Sequence, residues 1–430
     1  MHRKVYTHVL TRPEDFKKKL LQWSASANPK LWLDSNGHQD KHSSYEALLA
    51  LGAQSQLKAN ATQAFDQLKA YRQQTQDWIF GYLTYDLKNE VEALHSANFD
   101  GLEFPDLFFF QPEKLFLIKE NRLEMRYLSA VADQLQEDFQ AIQRVTIERL
   151  QPQQRPQIHL RIPKEEYMQK VEQLLHHIHR GDIYEANFCQ ECYAEAAIDP
   201  LSTYQRLNTV SRPPFAAFLR YGDLYALCAS PERYLKKSGS RMLSQPIKGT
   251  APRSADPNED AAFAKALQLD PKERSENIMI TDLVRNDLSR TALRGSVQVS
   301  ELCGIYSFPQ VHQMISTVES QLGPEVDPVM VLRTTFPMGS MTGAPKVRAM
   351  EIIEALEETR RGLYSGAIGY MDPDGNFDFN VVIRSLLYNA AKSYLSFSVG
   401  SAITARSVAE KEYAECVLKA KGIRQALGDL

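Results

Sequence analysis

The chain of 430 residues has no long apolar run. Its most apolar stretch, LFFF at 107–110, is far too short to span a bilayer, which takes ~20 residues. The N-terminal MHRKVYTHVLTRPEDFKKK lacks the apolar core of a signal peptide. No membrane association is expected. Cysteine is scarce, with five, at 189, 192, 228, 303 and 416. An odd count in a long chain reads as reduced thiols in a cytoplasmic protein. Cys189 and Cys192 form a CxxC, but no second CxxC and no His pair accompanies it, which argues against zinc. The alternation through NFCQECYAE reads instead as a strand. An excess of one charge is missing too. Lys and Arg number 50 against 53 Asp and Glu, a net −3, so no basic field points to nucleic acid. Internal repeats are absent. What is present is an ordinary globular composition, 43% hydrophobic and 24% charged. The length suggests two or three domains, or one large core with an appended part.

The Pro- and Gln-rich QPQQRPQIHLRIPKEEY, 151–167, reads as the junction between an N-terminal region, 1–150, and a larger region, 160–430. The first mixes strand-like runs (LWLDS, WIFGYLTYDL, LFFFQ, KLFLIK, RLEMRYL) with helices near 45–73 and 130–150. In the second, SGAIGYM, the turn DPDG, NFDFNVVIRSLLY and KSYLSFSVG read as a meander of three antiparallel strands. Helices are expected at 165–180, 257–268, 272–290, 344–358 and 408–427. Strands and helices do not alternate one for one, so the fold class is α+β with a mixed sheet architecture and not a doubly wound sheet.

Several stretches carry chemistry. In SQPIKGTAPR, 244–253, prolines flank Lys248 and place it on a turn after a strand; the ordinary reading is a solvated lysine. In FDFNVVIR, Arg384 shares a face with Asp378, Asn380 and Val382. It is either an internal ion pair, with Asp378 as partner, or a fork for a substrate carboxylate. In SENIMITDLVRNDL, Glu276 lies on a largely apolar helix face and must be paired or bound to a metal. In AEKEYAECVLKAKGI, Glu412, Glu415 and Lys419 fall within an arc of about 60°. They form either a solvated charged face or, with Glu276, an oxygen-donor set suited to Mg²⁺. FPMGSMTGAPKVRAMEIIEALEE is a Gly-containing loop feeding a helix that Thr342 is placed to cap, with Pro345 in its first turn. It misses the Walker pattern, because Lys346 does not follow the glycine and no Ser or Thr follows the lysine.

Taken together and in order, SPERYL, PIKGT, SENIMITDLVRNDLSR, VHQMISTVE, GSMTGAPKVRAMEII, LYSGAIGYMD, FNVVIRSL, VGSAI and EYAECVLKA resemble the chorismate-utilising enzymes. The match is strong over 165–425 and looser before it, through WLDSNG and GYLTYDL. The resemblance implies two large antiparallel sheets packed as an orthogonal sandwich, helices outside, and an active site between them that takes chorismate and Mg²⁺. It also implies that position 248 separates the reactions. Anthranilate-forming members read PIAGT there, whereas members that aminate chorismate at C4 read PIKGT. The implied product is 4-amino-4-deoxychorismate, on the route to 4-aminobenzoate and folate. Lys248 would attack ring carbon C2 as the C4 hydroxyl leaves, and ammonia would then add at C4 and expel the lysine. Attack needs a neutral amine, so burial near the metal is expected to lower the Lys248 pKa.

The remaining roles follow from the same resemblance. Glu232 would be the general acid for the departing hydroxyl. Glu276 and Glu415 would bind Mg²⁺, with Glu412 nearby through water. Arg384 and Tyr364 would hold the enolpyruvyl carboxylate, with backbone N–H groups of Gly400, Ser401, Ala402 and Ile403. Lys419 would contact the ring carboxylate, and the catalytic His312 and Thr342 would lie close to C4. Three features depart from the pattern. Met338 replaces a usual glycine, and VGSAI replaces a more glycine-rich run. Glu185 stands where isochorismate- and salicylate-forming members carry a water-activating lysine, which argues against water as nucleophile. The LDS of WLDSNG occupies the place where relatives hold tryptophan. No glutaminase segment is visible, so ammonia is expected from a separate glutaminase subunit or from free ammonium.

Overall fold

The computed structural model describes residues 3–38, 41–148, 150, 155–308 and 311–429. Among these, twelve strands form one antiparallel sheet and ten form another. The first runs in the order Arg3–Val9, Arg122–Leu128, Lys114–Lys119, Ala47–Leu51, Lys30–Asp34, Phe215–Tyr221, Leu224–Ser230, Ser385–Asn389, Tyr394–Thr404, Glu185–Glu195 and Gly343–Ala344, with His159–Leu160 beside Glu185–Glu195. The second runs Ile247–Pro252, Val311–Gln321, Arg241–Gln245, Arg233–Ser238, Phe377–Val381, Ala367–Met371, Ile79–Leu83, Leu107–Gln111 and Ser55–Ala59, with Gln298–Ser307 beside Val311–Gln321. Strands from before and after the 151–167 stretch are woven into both sheets.

Side-chain alternation decides which face packs where. Leu31, Leu48, Ala50, Ala217 and Leu219 of the first sheet join Phe80, Phe109, Ile368 and Phe379 of the second in one core between the sheets. The alternate residues Trp32, Ala47, Leu49, Ala216 and Phe218 form a second core under the helices Pro13–Trp23, Leu135–Arg144, Lys164–Arg180 and Ala409–Leu427. Each large apolar side chain so buried contributes ~1.5–3 kcal/mol. The run LFFFQ is buried at all five positions. Phe65 and Leu68 of the helix Ala64–Thr75 belong to the same core, so this strand is covered on both faces and needs no polar alternation.

Three sequence expectations change. The helix expected near 45–73 is two strands, Ala47–Leu51 and Ser55–Ala59, followed by a helix only from Ala64. ALLAL is an unbroken apolar run, and such a run cannot be told from a helix by periodicity alone. Secondly, the central meander strand 376–388 is two strands. Phe377–Val381 pairs in the second sheet and Ser385–Asn389 in the first, so the chain changes sheets at Val382–Arg384. Arg384 turns the corner with φ 52°. Thirdly, Thr342 does not cap the following helix. Pro345 occupies that position, without a side-chain cap, and the helix is Lys346–Leu356. Part of the 151–167 junction, 151–154, lies outside the described residues. Among the described residues, no helix is long and apolar enough to cross a membrane.

Candidate active site

Two sheet changes lie side by side. Leu224–Ser230 of the first sheet passes into Arg233–Ser238 of the second, next to the crossing at Arg384. Glu232 sits in this passage. Its carbonyl accepts from the Val381 N–H at 3.1 Å, and its own N–H donates to the Ser230 hydroxyl at 3.2 Å. The residue is 4% exposed, so it is not a surface glutamate. Burial pushes its carboxyl up to about 7, against the Ser340 hydroxyl, the Lys248 ammonium and the Ile247 N–H, which favour the anion. An acid poised near neutrality suits proton donation. Met338 and Ser340 line a cavity of about 20 Å³ beside Glu232, room for a single water.

Lys248 is not on a turn. It lies in the edge strand Ile247–Pro252, whose register against Val311–Gln321 slips between Ile247 and Thr250. Gly249 supplies the irregularity, with φ 95°. A Cβ there would lie 3.1 Å from a Glu273 oxygen and 3.2 Å from Met314. A bulge re-aims the adjoining side chain. The Lys248 carbonyl is held by the Asn277 amide at 3.3 Å. The Lys248 ammonium meets Glu185 Oε1 at 2.9 Å, with the two side chains 11% and 1% exposed. This pair bridges the edge of the second sheet to the strand Glu185–Glu195 of the first. Burial alone would lower the Lys248 pKa, but Glu185 beside it, with Glu276 and Glu232, holds it above the ordinary lysine value. The expected fall is therefore absent: the pocket surrounds the amine with carboxylates.

Glu276, on the helix Pro271–Ser289, is buried, and its Oε1 has no hydrogen-bond partner among the described residues. Burial pushes its carboxyl up to about 7, with Lys248 opposing. From the helix Ala409–Leu427, Glu412 is buried as well, with an Oε2 that has no partner among the described residues. Lys272 stands between them, 3.7 Å from Glu276 and 4.0 Å from Glu412. Glu415 pairs with Lys419 at 2.6 Å. That lysine holds its carboxyl below the usual range in spite of burial. Among the described residues, no three His, Cys, Asp or Glu side chains converge as a metal set. The two orphaned carboxylate oxygens nonetheless suit a hard divalent cation that takes few protein ligands and keeps its waters.

Asp378 pairs with Arg233 at 2.9 Å, so it is not the partner of Arg384. Among the described residues, the Arg384 guanidinium makes no hydrogen bond or ion pair. Burial lowers its pKa, while Tyr364 and Glu415 act in the opposite direction. Tyr364 is buried, with its hydroxyl 3.6 Å from Cys189 Sγ. Gly400, Ser401, Ala402 and Ile403 pair with Cys189, Phe188, Asn187 and Ala186. The strand on their other side reaches only Ser396, so among the described residues no strand pairs with this stretch on that side. His312 is buried, and both its nitrogens are taken, by Asp260 at 3.0 Å and Ser307 at 2.8 Å. Thr342 donates to the Gly339 carbonyl at 3.1 Å, and its own carbonyl accepts from the Asn187 N–H at 2.8 Å. The structure therefore groups Glu232, Lys248, Glu276 and Glu412 with the unassigned Glu185 and Lys272. It does not bring His312 or Thr342 into contact with Lys248.

A profile of chorismate binding enzymes matches residues 21–425. The chain belongs to this family. Among its relatives, aminodeoxychorismate synthase component 1 of Escherichia coli is 42% identical over 264 residues, 61% of this chain and 58% of that protein. The chain thus spans somewhat over half of that relative. Aminodeoxychorismate synthase component 1 of Bacillus subtilis is 33% identical, covering 82% of this chain and 77% of the relative. Anthranilate synthase component 1 of Thermus thermophilus is 34% identical, covering 81% and 77%. The fold matches that of anthranilate synthase component I from Streptococcus pneumoniae, with a TM-score of 0.81 at 24% identity over 90% of this chain and 95% of that one.

Sequence reasoning about this chorismate binding enzyme missed two supports. Arg361, buried, donates to Glu357, to the Met341 carbonyl at 2.6 Å and to the Asn187 carbonyl at 2.7 Å. It thereby fastens the Gly339–Met341 turn to the strand carrying Glu185. Asn277 fixes the backbone at Lys248, and its place beside Glu276 in SENIM was the available signal. The LDS segment borders a cavity of about 60 Å³, well below the ~300 Å³ at which small-molecule pockets begin.

Proposed function

We propose that the chain aminates chorismate at C4, forming 4-amino-4-deoxychorismate with Lys248 as a covalent nucleophile. The observation that carries this reading is the buried Lys248 itself. A bulge adjoins it, and its charge acts on Glu232, an acid raised to about 7. The Nζ lone pair forms a bond to C2, the two ring double bonds shift around the ring towards C4, and the C4–O bond breaks. Glu232 gives its proton to the departing hydroxyl, which leaves as water. Ammonia then adds at C4, the two ring double bonds shift back, the C2–Nζ bond breaks, and Glu232 recovers a proton from the new amine. Arg384, with no hydrogen-bond or ion-pair partner among the described residues, takes the enolpyruvyl carboxylate as a bidentate fork, next to Tyr364 and the strand edge at Gly400–Ile403.

Glu276 and Glu412 would hold Mg²⁺, with Glu415 nearby. The ion would supply charge to orient and neutralise the substrate's ring carboxylate. Lys419 approaches the same region from the Ala409–Leu427 helix. The ammonia source is proposed to be a separate glutaminase subunit, with free ammonium as a substitute in vitro.

Similarity to an anthranilate synthase over most of the chain keeps formation of anthranilate as the second reading. Product analysis decides between them. The full chain is incubated with chorismate, Mg²⁺ and ammonium and coupled to aminodeoxychorismate lyase. We expect 4-aminobenzoate; anthranilate as the main product would overturn the proposal. Glutamine in place of ammonium should give no turnover with the chain alone.

A further inference from the structure

Lys248 cannot attack as an ammonium, and its surroundings favour that form. A proton must therefore leave Nζ before the C2–N bond forms, and return when that bond breaks. Glu232 is assigned to the hydroxyl at C4, and a single carboxyl cannot already hold the proton it donates and also receive one from the lysine. A second group is needed. Among the described residues, Glu185 is the one carboxylate in ion-pair contact with Lys248, at 2.9 Å.

Glu185 is bonded differently from Glu191 of its own strand and from the nearby Glu357. Glu191 on that strand has both oxygens engaged, by Arg161, Tyr394 and Ser396. Glu357 likewise receives the Arg361 guanidinium on both oxygens. In Glu185 only Oε1 is engaged; Oε2 is buried and has no hydrogen-bond partner among the described residues. An unsatisfied buried oxygen is costly where structure alone is served. The residue is also held rigidly, paired with Thr404 on one side and Ala344 on the other.

The geometry points to Glu185 as the proton acceptor for Lys248, an inference that rests on the amination reading above. Before attack, a proton passes from Lys248 Nζ to Glu185 Oε1 and leaves the lone pair free for C2. When ammonia has added at C4 and the C2–N bond breaks, Glu185 returns that proton to the amine. Glu185 and Glu232 thus divide the proton traffic, one serving the nucleophile and the other the leaving group. The balance closes, with chorismate and ammonia giving aminodeoxychorismate and water.

A mere counter-ion would behave in the opposite way. By stabilising the ammonium it would only slow attack, and its removal would leave the rate unchanged or raise it. The test therefore reads a sign. Glu185→Gln and Glu185→Asp are compared with wild type using chorismate, Mg²⁺ and ammonium, with lyase coupling and circular dichroism as a folding control. We expect Glu185→Gln to lower kcat by ~100-fold, within the usual range for lost proton transfer, with the KM for chorismate within about threefold. Glu185→Asp, which keeps a carboxylate, should recover part of the rate. Without ammonia, a Lys248 adduct followed by mass spectrometry should form more slowly in Glu185→Gln to the same degree. A Glu185→Gln rate at or above wild type overturns the inference, as does an Asp variant no faster than the Gln variant. Lys248→Ala separates the two levels of the argument. If wild type aminates C4 and Lys248→Ala does not, while Glu185→Gln is fully active, only the role of Glu185 falls. If Lys248→Ala aminates C4 at the wild-type rate, the covalent reading itself falls.

Discussion

The Lys419 ammonium donates to the backbone carbonyl of Gly400 at 2.7 Å. The contact ties the Ala409–Leu427 helix to the Gly400–Ile403 stretch of the Tyr394–Thr404 strand. It also places a cation, already paired with Glu415, beside the region proposed for the substrate's carboxylates. Lys419→Met keeps most of the length of the side chain and removes the charge. We expect KM for chorismate to rise by about tenfold, equivalent to ~1.4 kcal/mol, with a smaller change in kcat. Steady-state kinetics check this, and an unchanged KM would remove Lys419 from substrate binding.

Glu232 should impose a pH limb. Its acid form is lost as pH rises through about 7, so the rate should fall above neutrality. Glu232→Gln should lower kcat by ~10²–10⁴-fold and abolish that limb. Stability follows the same protonation. The folded value lies above the reference value of 4.5, so between those two values the folded state binds more protons than the unfolded state. Stability contributed by this group therefore declines as pH rises through the window. Relative to wild type, Glu232→Gln should gain thermal stability at pH 8 and not at pH 4, as read by melting curves.

The proposed metal site gives a binding prediction independent of turnover. Lys272 lies between Glu276 and Glu412 as a cation in place. Glu276→Gln should weaken Mg²⁺ binding by at least about tenfold in a calorimetric titration, a loss of ~1.4 kcal/mol. Lys272→Met should strengthen it, because a competing positive charge is removed. Equal Mg²⁺ affinity in wild type and Glu276→Gln would move the metal elsewhere.

Arg361 and Glu357 form a buried pair at 2.7 Å, with side chains 3% and 5% exposed. Removing one partner leaves a buried charge alone and typically costs ~3–5 kcal/mol. Arg361→Met should lower the denaturant midpoint by a corresponding amount. Since Arg361 also donates to the Met341 and Asn187 carbonyls, the Gly339–Met341 turn should loosen first, which hydrogen exchange of that turn would report. A loss under 1 kcal/mol would show that the pair carries little of the fold.

Much of this was legible in residue order. The helices expected at 165–180, 257–268 and 408–427 appear as Lys164–Arg180, Pro257–Leu269 and Ala409–Leu427, because apolar spacing and capping residues act locally. NFCQECYAE is a strand for the same reason. The buried state of Glu276 followed from the apolar face around it. The alternative partner offered for Arg384 did not survive, because Asp378 had a nearer arginine from another strand. Sequence spacing along one strand cannot see a neighbour that arrives from across the sheet.

What the sequence determined by itself was the family, the nature of most elements and the candidate residues, since these depend on local periodicity and on short motifs. Only the tertiary structure decided how those residues meet. Arg384 and Glu232 stand at adjacent sheet crossings because the chain leaves one sheet for the other at both places. Lys248 faces Glu185, 63 positions away in the chain, because a bulged edge strand of one sheet lies against the penultimate strand of the other. The proton state of the amine is set by that meeting. Desolvation is the largest single effect on it, and it is the Glu185 carboxylate at 2.9 Å together with Glu276 and Glu232 that outweighs it.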